Sequence, residues 1–509
     1  MKRFILIVVS IFLCLSCREN GHHPIVPGQT SGSGGGSAQG GNPQPFKEMD
    51  LKTFSFKKVH NLKALYEDIV LDVSQGRAEV VSPKVTSSSL IASFDPGDSK
   101  VYVDGVEQIS GVTVNDFSSP VTYEVKGERD FSFVVTVKGS GLPAVFIYTK
   151  DSQPVPSKWE PWLTGNVMTV FNTDWSVDYS GVLEIRGRGN TTWEYPKKPY
   201  ALKLESKAEI LGMPEHKRWV LLANWMDRTL LRNAVSFRLS SLSGLAYTPR
   251  GEFVELFLND THMGNYYLCE QIKVDDDRVN IDELKKDEID GGYLLELDVY
   301  YDEANRFYSE TRSLPYMFKD PDDVNGVQFK FIMDYVNDME ASLYDDARFE
   351  AGEYMEYIDL DSFVDWWLVL ELAGMAEPNH PKSTYMHKDK GGRLKMGPVW
   401  DFDWGTYMVH TWFLCDKSLY YERLLQDRRF VDKVKERWGM YEDAFRTLPE
   451  HIRSEAEKIR VSESINHQMW PITQFINGDE QMSFDEAVES MITAYEKKYD
   501  WMDKKVDRM

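Results

Sequence analysis

Short alternating or β-branched runs recur between Phe54 and Val137: Ala78-Glu-Val-Val81, Ser89-Leu-Ile-Ala-Ser-Phe94, Lys100-Val-Tyr-Val103, Val121-Thr-Tyr-Glu-Val125 and Phe131-Ser-Phe-Val-Val-Thr-Val137. They are separated by turn residues at Asp95-Pro-Gly97, Asp104-Gly105 and Lys126-Gly127. Strands at a spacing of roughly ten residues predict a small β-sandwich over 47–140. After Lys138-Gly-Ser-Gly-Leu-Pro143 the texture changes. Strand-like runs at Ala144–Tyr148, Gly181–Ile185, Tyr200–Leu204, Phe253–Leu258 and Asn265–Leu268 then alternate with helical periods. Asp227 is placed to cap a helix carrying Leu230, Leu231, Val235, Leu239 and Leu242, and Asp361 to cap one carrying Val364, Trp367, Leu368 and Leu372. Ser483-Phe-Asp-Glu486 reads as a capping box opening a last helix through Ala487, Met491, Ala494, Tyr495 and Trp501. The expected fold class is α+β, with 141–509 as one large unit, strand-rich first and helical last.

The first residues carry a different pattern. Lys2 and Arg3 precede an apolar run from Phe4 to Leu15, which is shorter than the roughly 20 residues of a membrane span and reads as an export signal over 1–16. Leu15-Ser16-Cys17 resembles the lipobox of bacterial lipoproteins, which would make Cys17 the acylated first residue. Gly28 to Gly41 is Gly- and Ser-rich and is followed by Pro43 and Pro45, so 17–46 reads as a flexible tether. The expected location is lipid-anchored to a bacterial membrane, at the cell surface or facing the periplasm, with the lipid as the sole membrane contact. The sandwich resembles the immunoglobulin-like modules that precede catalytic domains on such proteins.

Composition narrows the partners. The 509 residues are 42% hydrophobic and 13% aromatic, enough for sizeable cores, and the formal charge is −23. That field opposes nucleic-acid backbone and anionic lipid, so no nucleic-acid partner is expected. Beyond Cys17 only Cys269 and Cys415 remain, which is no disulfide framework; two buried free thiols are favoured over one bridge.

Three clusters carry candidate chemistry. Arg186-Gly-Arg188-Gly-Asn190-Thr-Thr192, with Lys197, Lys198 and Lys203, concentrates cations beside glycine backbone in an acidic chain, which suits a phosphate-bearing ligand. Arg228 and Arg232 are spaced to share a helix face and could grip phosphate or pair with Glu205 or Glu255. In Val399-Trp-Asp401-Phe-Asp403-Trp-Gly405 two acids lie one residue apart; extended backbone would point them to opposite faces, so a turn is needed before both reach one cation. Oxygen ligands without His or Cys suit Mg²⁺ or Mn²⁺.

Five ordered motifs then resemble the CotH kinase family: Arg186–Thr192, Lys198–Lys203, Asp227–Asn233, Gly264–Gln271 and Pro398–Gly405. The resemblance spans roughly 144–440 and implies an atypical protein kinase that transfers the γ-phosphate of ATP, with a divalent metal, to Ser/Thr of extracytoplasmic proteins. It assigns Lys203 to the nucleotide phosphates, oriented by Glu270 or Glu205, and Asp401 to the metal with Asp403 as second acid. Arg186, Arg188, Asn190 and Arg228 join the phosphate-binding set. The family's proton-accepting Asp is replaced by Glu377, about two dozen residues before Asp401, and Asn379 stands in as a further metal ligand. The longer Glu side chain moves the oxygen by on the order of 1 Å, a shift that costs about 100-fold when nothing compensates. Lys382 or Ser383 stands where the family has its Asn, and Lys382 is read either as a partner for phosphate or as an occupant of the metal's place. Two alternatives accompany this reading: a non-catalytic pseudokinase acting as a surface binding module, and a polysaccharide-acting lipoprotein, suggested by the 14 Trp and 26 Tyr.

Overall fold

The computed structural model describes residues 51–509. The export signal, Cys17 and the tether lie outside the described residues. The alternating runs of the first stretch form two sheets. One has the order Ile69–Leu71, Thr53–Phe56, Ser89–Asp95, Val114–Asp116; the other runs Arg77–Ser82, Phe131–Gly139, Val121–Lys126, Lys100–Val103, Val106–Glu107. Alternation turns Phe54, Leu90, Phe94, Val101, Tyr123, Phe133 and Val135 into one shared core. Phe54 of the first sheet meets Tyr123 and Phe133 of the second edge-on at 5.0 and 5.1 Å.

Both this part and the remainder belong to one compact unit, Met49–Met509. The joint is aromatic: Tyr66 stacks on Phe146 at 4.6 Å and meets Trp175 and Phe171, while Phe146 stacks on Phe257 at 4.3 Å.

All five strand-like runs of the second part fall in a closed seven-stranded barrel, ordered Ala144–Tyr148, Leu163–Phe171, Val177–Gly187, Tyr200–Ile210, Met213–Leu222, Thr261–Glu270, Gly251–Leu258. The last strand closes on the first in parallel register, and the other ladders are antiparallel. Val170, Leu183, Ile185, Leu202, Trp219, Leu256 and Leu268 fill the interior. The alternate positions face outwards, among them Glu184, Arg186, Ala201, Lys203 and Arg218, which are register partners on three neighbouring strands.

A second, antiparallel sheet follows, ordered Arg306–Tyr308, Pro315–Asp320, Tyr293–Leu297, Thr384–Lys388, Leu394–Met396. Around it pack the helices Gly326–Tyr344, Leu360–Ala373, Arg428–Phe445, Leu448–Met469 and Phe484–Val506, which share one large core with it. Helix Leu360–Ala373 is buried over most of its length; its Glu371 pairs with Lys498 at 2.8 Å and accepts the amides of Leu414 and Cys415. Cys269 and Cys415 are buried and free. No helix among the described residues is long and apolar enough to cross a membrane.

The expected caps are met in one case and shifted in two. Ser483 and Glu486 form their capping box. Helix Leu360–Ala373 is capped by Asp359, not Asp361, which sits in its first turn and pairs with Lys433 and Arg437. Helix Arg232–Ser241 starts after Leu230, which lies at φ +61, and Asp227 accepts the Arg232 amide from outside the helix at 2.8 Å.

Losing Tyr66 from the aromatic joint removes a side chain whose packing is worth on the order of 3 kcal/mol. Tyr66→Ala is expected to split one calorimetric unfolding transition into two, the earlier belonging to residues 51–140. A single transition of unchanged midpoint would refute a coupling role for this joint.

Candidate active site

Below the second sheet, strand Leu394–Met396 runs into the acidic segment, and the required turn is present. Asp401 is held at φ +68, a conformation that costs an ordinary residue about 1 kcal/mol and that Asp tolerates comparatively well. What fixes the turn is a set of bonds from elsewhere in the chain. Asn233 Oδ1 accepts the Phe402 amide at 2.8 Å, and Asn477 accepts the Gly405 amide at 2.7 Å while donating to the Asp403 carbonyl at 3.0 Å. Arg232 donates to the Thr406 carbonyl and pairs with Asp227 at 3.1 Å and Asp479 at 2.5 Å, all three side chains being buried. The Asp227–Asn233 motif is therefore a clamp on the acidic segment.

Arg228 takes no part in the cleft. It precedes the helix, so the expected shared face with Arg232 does not form, and it binds Glu463 and the Met482 carbonyl in place of Glu205 or Glu255.

Two further segments bring acids to the same place. Helix Leu360–Ala373 ends at Gly374, φ +72, and the next short turn, Glu377–Asn379, carries Glu377 inwards with 11% of its side chain exposed. Strand Tyr293–Leu297 delivers Asp298, whose Oδ2 accepts the Ser383 amide at 3.2 Å; Ser383 Oγ in turn lies 3.3 Å from Asp401 Oδ2. Glu377, Asp298, Asp401 and Asp403 line one cleft of about 870 Å³.

Burial first, and carboxylate neighbours for Glu377, Asp403 and Asp298, raise their proton affinity. Burial first, then Asp401, pushes Glu377 up to about 8 against the pull of Lys382. Burial and Asp401 push Asp403 up to about 7, and burial pushes Asp298 to about 6. Asp401 is also raised by burial, with Arg188, Ser383 and Lys382 acting the other way.

Cations reach the same cleft from the barrel's outer face and the glycine turn, where Asp302, Glu303 and Asp322 also line it. Arg186 and Arg218 flank the Trp162 ring at 4.5 and 4.9 Å, and Arg188 lies over Trp400 at 5.4 Å. Burial draws the Arg186, Arg218 and Lys273 values down, with Arg218 and Arg186 repelling each other. Lys158 reaches Asp302 at 3.1 Å and also donates to Asn190. Gly189 has φ +83, and Gly187 leaves the space that the Trp193 ring fills.

Of the residues singled out from the sequence, Arg186, Arg188, Asn190, Glu377, Asp401 and Asp403 line this cleft, and Lys203, Arg228 and Asn379 do not. Lys203 faces out of the barrel one pleat beyond Ala201, the cleft-lining residue of its strand, and its amine is held by Glu184 at 3.1 Å. Neither Glu270 nor Glu205 orients it: Glu270 is buried against Arg250 and Tyr247. Asn379 turns to the Leu414 carbonyl at 3.0 Å and the Ser418 hydroxyl at 2.7 Å. Lys197 lines the cleft, but its buried amine is taken by the carbonyls of Ala223, at 2.7 Å, and Asn265. Sequence reasoning passed over Lys158, Arg218, Lys273 and Asp298. For Asp298 a signal existed, an acid directly after the strand-forming run Tyr293-Leu-Leu-Glu-Leu297.

Among the described residues no three His, Cys, Asp or Glu side chains converge into a ready metal cage. Magnesium is commonly held by one or two carboxylates, the rest of its shell being water and substrate phosphate. The partly buried oxygens of Asp401 and Asp403 fit that pattern.

Comparison with known proteins gives the cleft its context. Residues 185–502 match the family model described as CotH kinase protein. The chain belongs to the CotH kinase family. No curated protein matches it. The match starts later than the expected 144 and runs past both the last ordered motif, Pro398–Gly405, and the expected end near 440, taking in the helices that brace the cleft. Within this CotH chain the motif around Asn265 is a brace as well: Asn265 donates to Ser462 at 2.9 Å, and its amide donates to Asn466.

Two measurements test this site. Breaking a buried ion pair by removing one partner costs about 3–5 kcal/mol, so Arg232→Met should lower unfolding stability in urea by that order. Arg228→Met, which breaks the less buried pair with Glu463, should cost less. Equal losses would deny Arg232 its place as the clamp. The carboxyl values are raised above their ordinary 3.8–4.5, so the folded protein keeps protons that the unfolded chain has released. Stability of the metal-free protein should therefore fall as pH rises from about 5 to about 8, with a shallower fall in Asp403→Asn. A thermal midpoint flat across that window would contradict the crowding.

Proposed function

We propose that the cleft binds a nucleoside triphosphate and transfers its terminal phosphoryl group to a Ser or Thr hydroxyl of an extracytoplasmic protein. The observation that carries this reading is one cleft lined both by Glu377, Asp298, Asp401 and Asp403 and by Arg186, Arg188, Arg218 and Lys273, in a space large enough for a nucleotide. A polyanion carrying a divalent cation satisfies both sets at once, the metal relieving the buried acids and the phosphates meeting the guanidiniums.

Asp401 and Asp403 would hold Mg²⁺ or Mn²⁺, which supplies charge neutralisation at the phosphates. Glu377 would take the hydroxyl proton. Its value of about 8 lies near the working range of a general base, and a cation arriving beside Asp401 favours its ionised form. The hydroxyl oxygen forms a bond to the terminal phosphorus while the bond from that phosphorus to the β-phosphate oxygen breaks, ADP leaving with the electron pair. Arg186 and Arg218 take the phosphate-gripping role first given to Lys203. Residues 51–140 serve as an immunoglobulin-like spacer. Acylated Cys17 and the tether hold the body at a bacterial membrane.

The departure of Lys203 and Asn379 from the cleft favours a second reading, a pseudokinase that binds nucleotide without transferring phosphate. Incubation of the purified protein with γ-labelled ATP, Mn²⁺ and a Ser-rich acceptor separates the two. Label should appear with the wild type and fall at least about 100-fold in Asp401→Ala and in Glu377→Ala. Nucleotide binding with no label above the Asp401→Ala background would leave the binding module alone.

A further inference from the structure

Lys382 is a cleft cation set beside a carboxylate without a close hydrogen bond to it. Its amine lies 3.9 Å from Glu377 Oε1, outside the roughly 2.7–2.9 Å of a charge-assisted hydrogen bond. Aromatic rings flank it: Tyr300 at 5.7 Å and Trp404 at 5.9 Å from the amine. Rings attract an ammonium without occupying its N–H donors, of which lysine has three.

Three other lysines near the cleft are differently placed. The amine of Lys197 is occupied by two carbonyls, Lys158 by Asp302 and Asn190, and Lys203 by Glu184. The Lys382 side chain remains 34% exposed and lines the cleft. It is therefore a positioned ammonium with donors to give.

We infer that Lys382 binds the terminal phosphate of the nucleotide and makes the cleft select triphosphate over diphosphate. This rests on the reading of Glu377 as the group that receives the hydroxyl proton. The phosphorus that meets that hydroxyl is the terminal one, so an amine 3.9 Å from Glu377 stands beside it and away from the α- and β-phosphates. Of the two roles left open by the sequence, partner of phosphate or occupant of the metal's place, the first follows from the paired rings. They hold the ammonium beside the carboxylate and leave its hydrogen-bonding capacity for a ligand. The same charge also stabilises Glu377 as the carboxylate.

Calorimetric titration of the purified full chain with the β,γ-imido analogue of ATP and with ADP, each with Mn²⁺, tests this. Wild type should bind the triphosphate analogue more tightly. Lys382→Ala should weaken the analogue at least about tenfold, as expected on loss of a charge-assisted bond, while ADP stays within about twofold. Lys382→Arg should keep the preference. Equal weakening of both ligands, or no weakening of either, overturns the assignment and leaves the kinase reading standing. A wild type that binds neither nucleotide overturns both. Unchanged thermal midpoints show that each variant is folded.

Discussion

One buried guanidinium organises the cleft. Arg232 lies between Asp227 and Asp479 and donates to the carbonyl that closes the acidic segment, while the next residue, Asn233, holds the Phe402 amide. An arginine is suited to this because its planar fork serves several acceptors at once and stays charged when buried. Taken out of water, the pair Asp227–Arg232 would be expensive if either partner were missing. With both present, and with Asp479 from the far end of the chain, the first turn of a helix, the acidic loop and the segment before the last helix are fixed relative to one another. The strained Asp401 backbone depends on that frame.

The frame is rigid so that the acids it carries can be uncomfortable. Glu377, Asp298, Asp401 and Asp403 approach one another in a partly buried space, and each is pushed towards its protonated form. Charge crowded in this way is a standing demand for a cation, which accords with the concentration of perturbed groups at functional sites. The facing cations are likewise drawn down by burial and mutual repulsion. A metal-carrying polyanion meets both demands, which is why the cleft is read as a nucleotide site and not as two unrelated charged patches.

Of the residues singled out from the sequence, the acidic loop lines the cleft and the lysine does not. Position along the strand decides this: on Tyr200–Ile210 Ala201 and Lys203 both face outwards, and the one that reaches the cleft is Ala201. Its register partner Arg186 presents the cation there. A motif fixes which residues are near in sequence, whereas the pleat and the strand register fix which of them share a space.

Much of the fold was legible because its causes are local. Alternation placed the strands, Ser483 and Glu486 marked a helix start, five ordered motifs pointed to the family and to Asp401, Asp403 and Arg186, and the distance before Asp401 pointed to Glu377. The closed barrel was not legible, since its closure is a parallel pairing between Ala144–Tyr148 and Gly251–Leu258, more than a hundred residues apart. Nor was the partner of Arg232, because Asp479 carries no motif. The chain alone determined which residues have the chemistry; tertiary structure decided which of them meet. The physical reason is that side-chain type and periodicity are properties of neighbours in sequence. Burial, charge crowding and the placement of an ammonium between two rings are properties of segments brought together from separate parts of the chain.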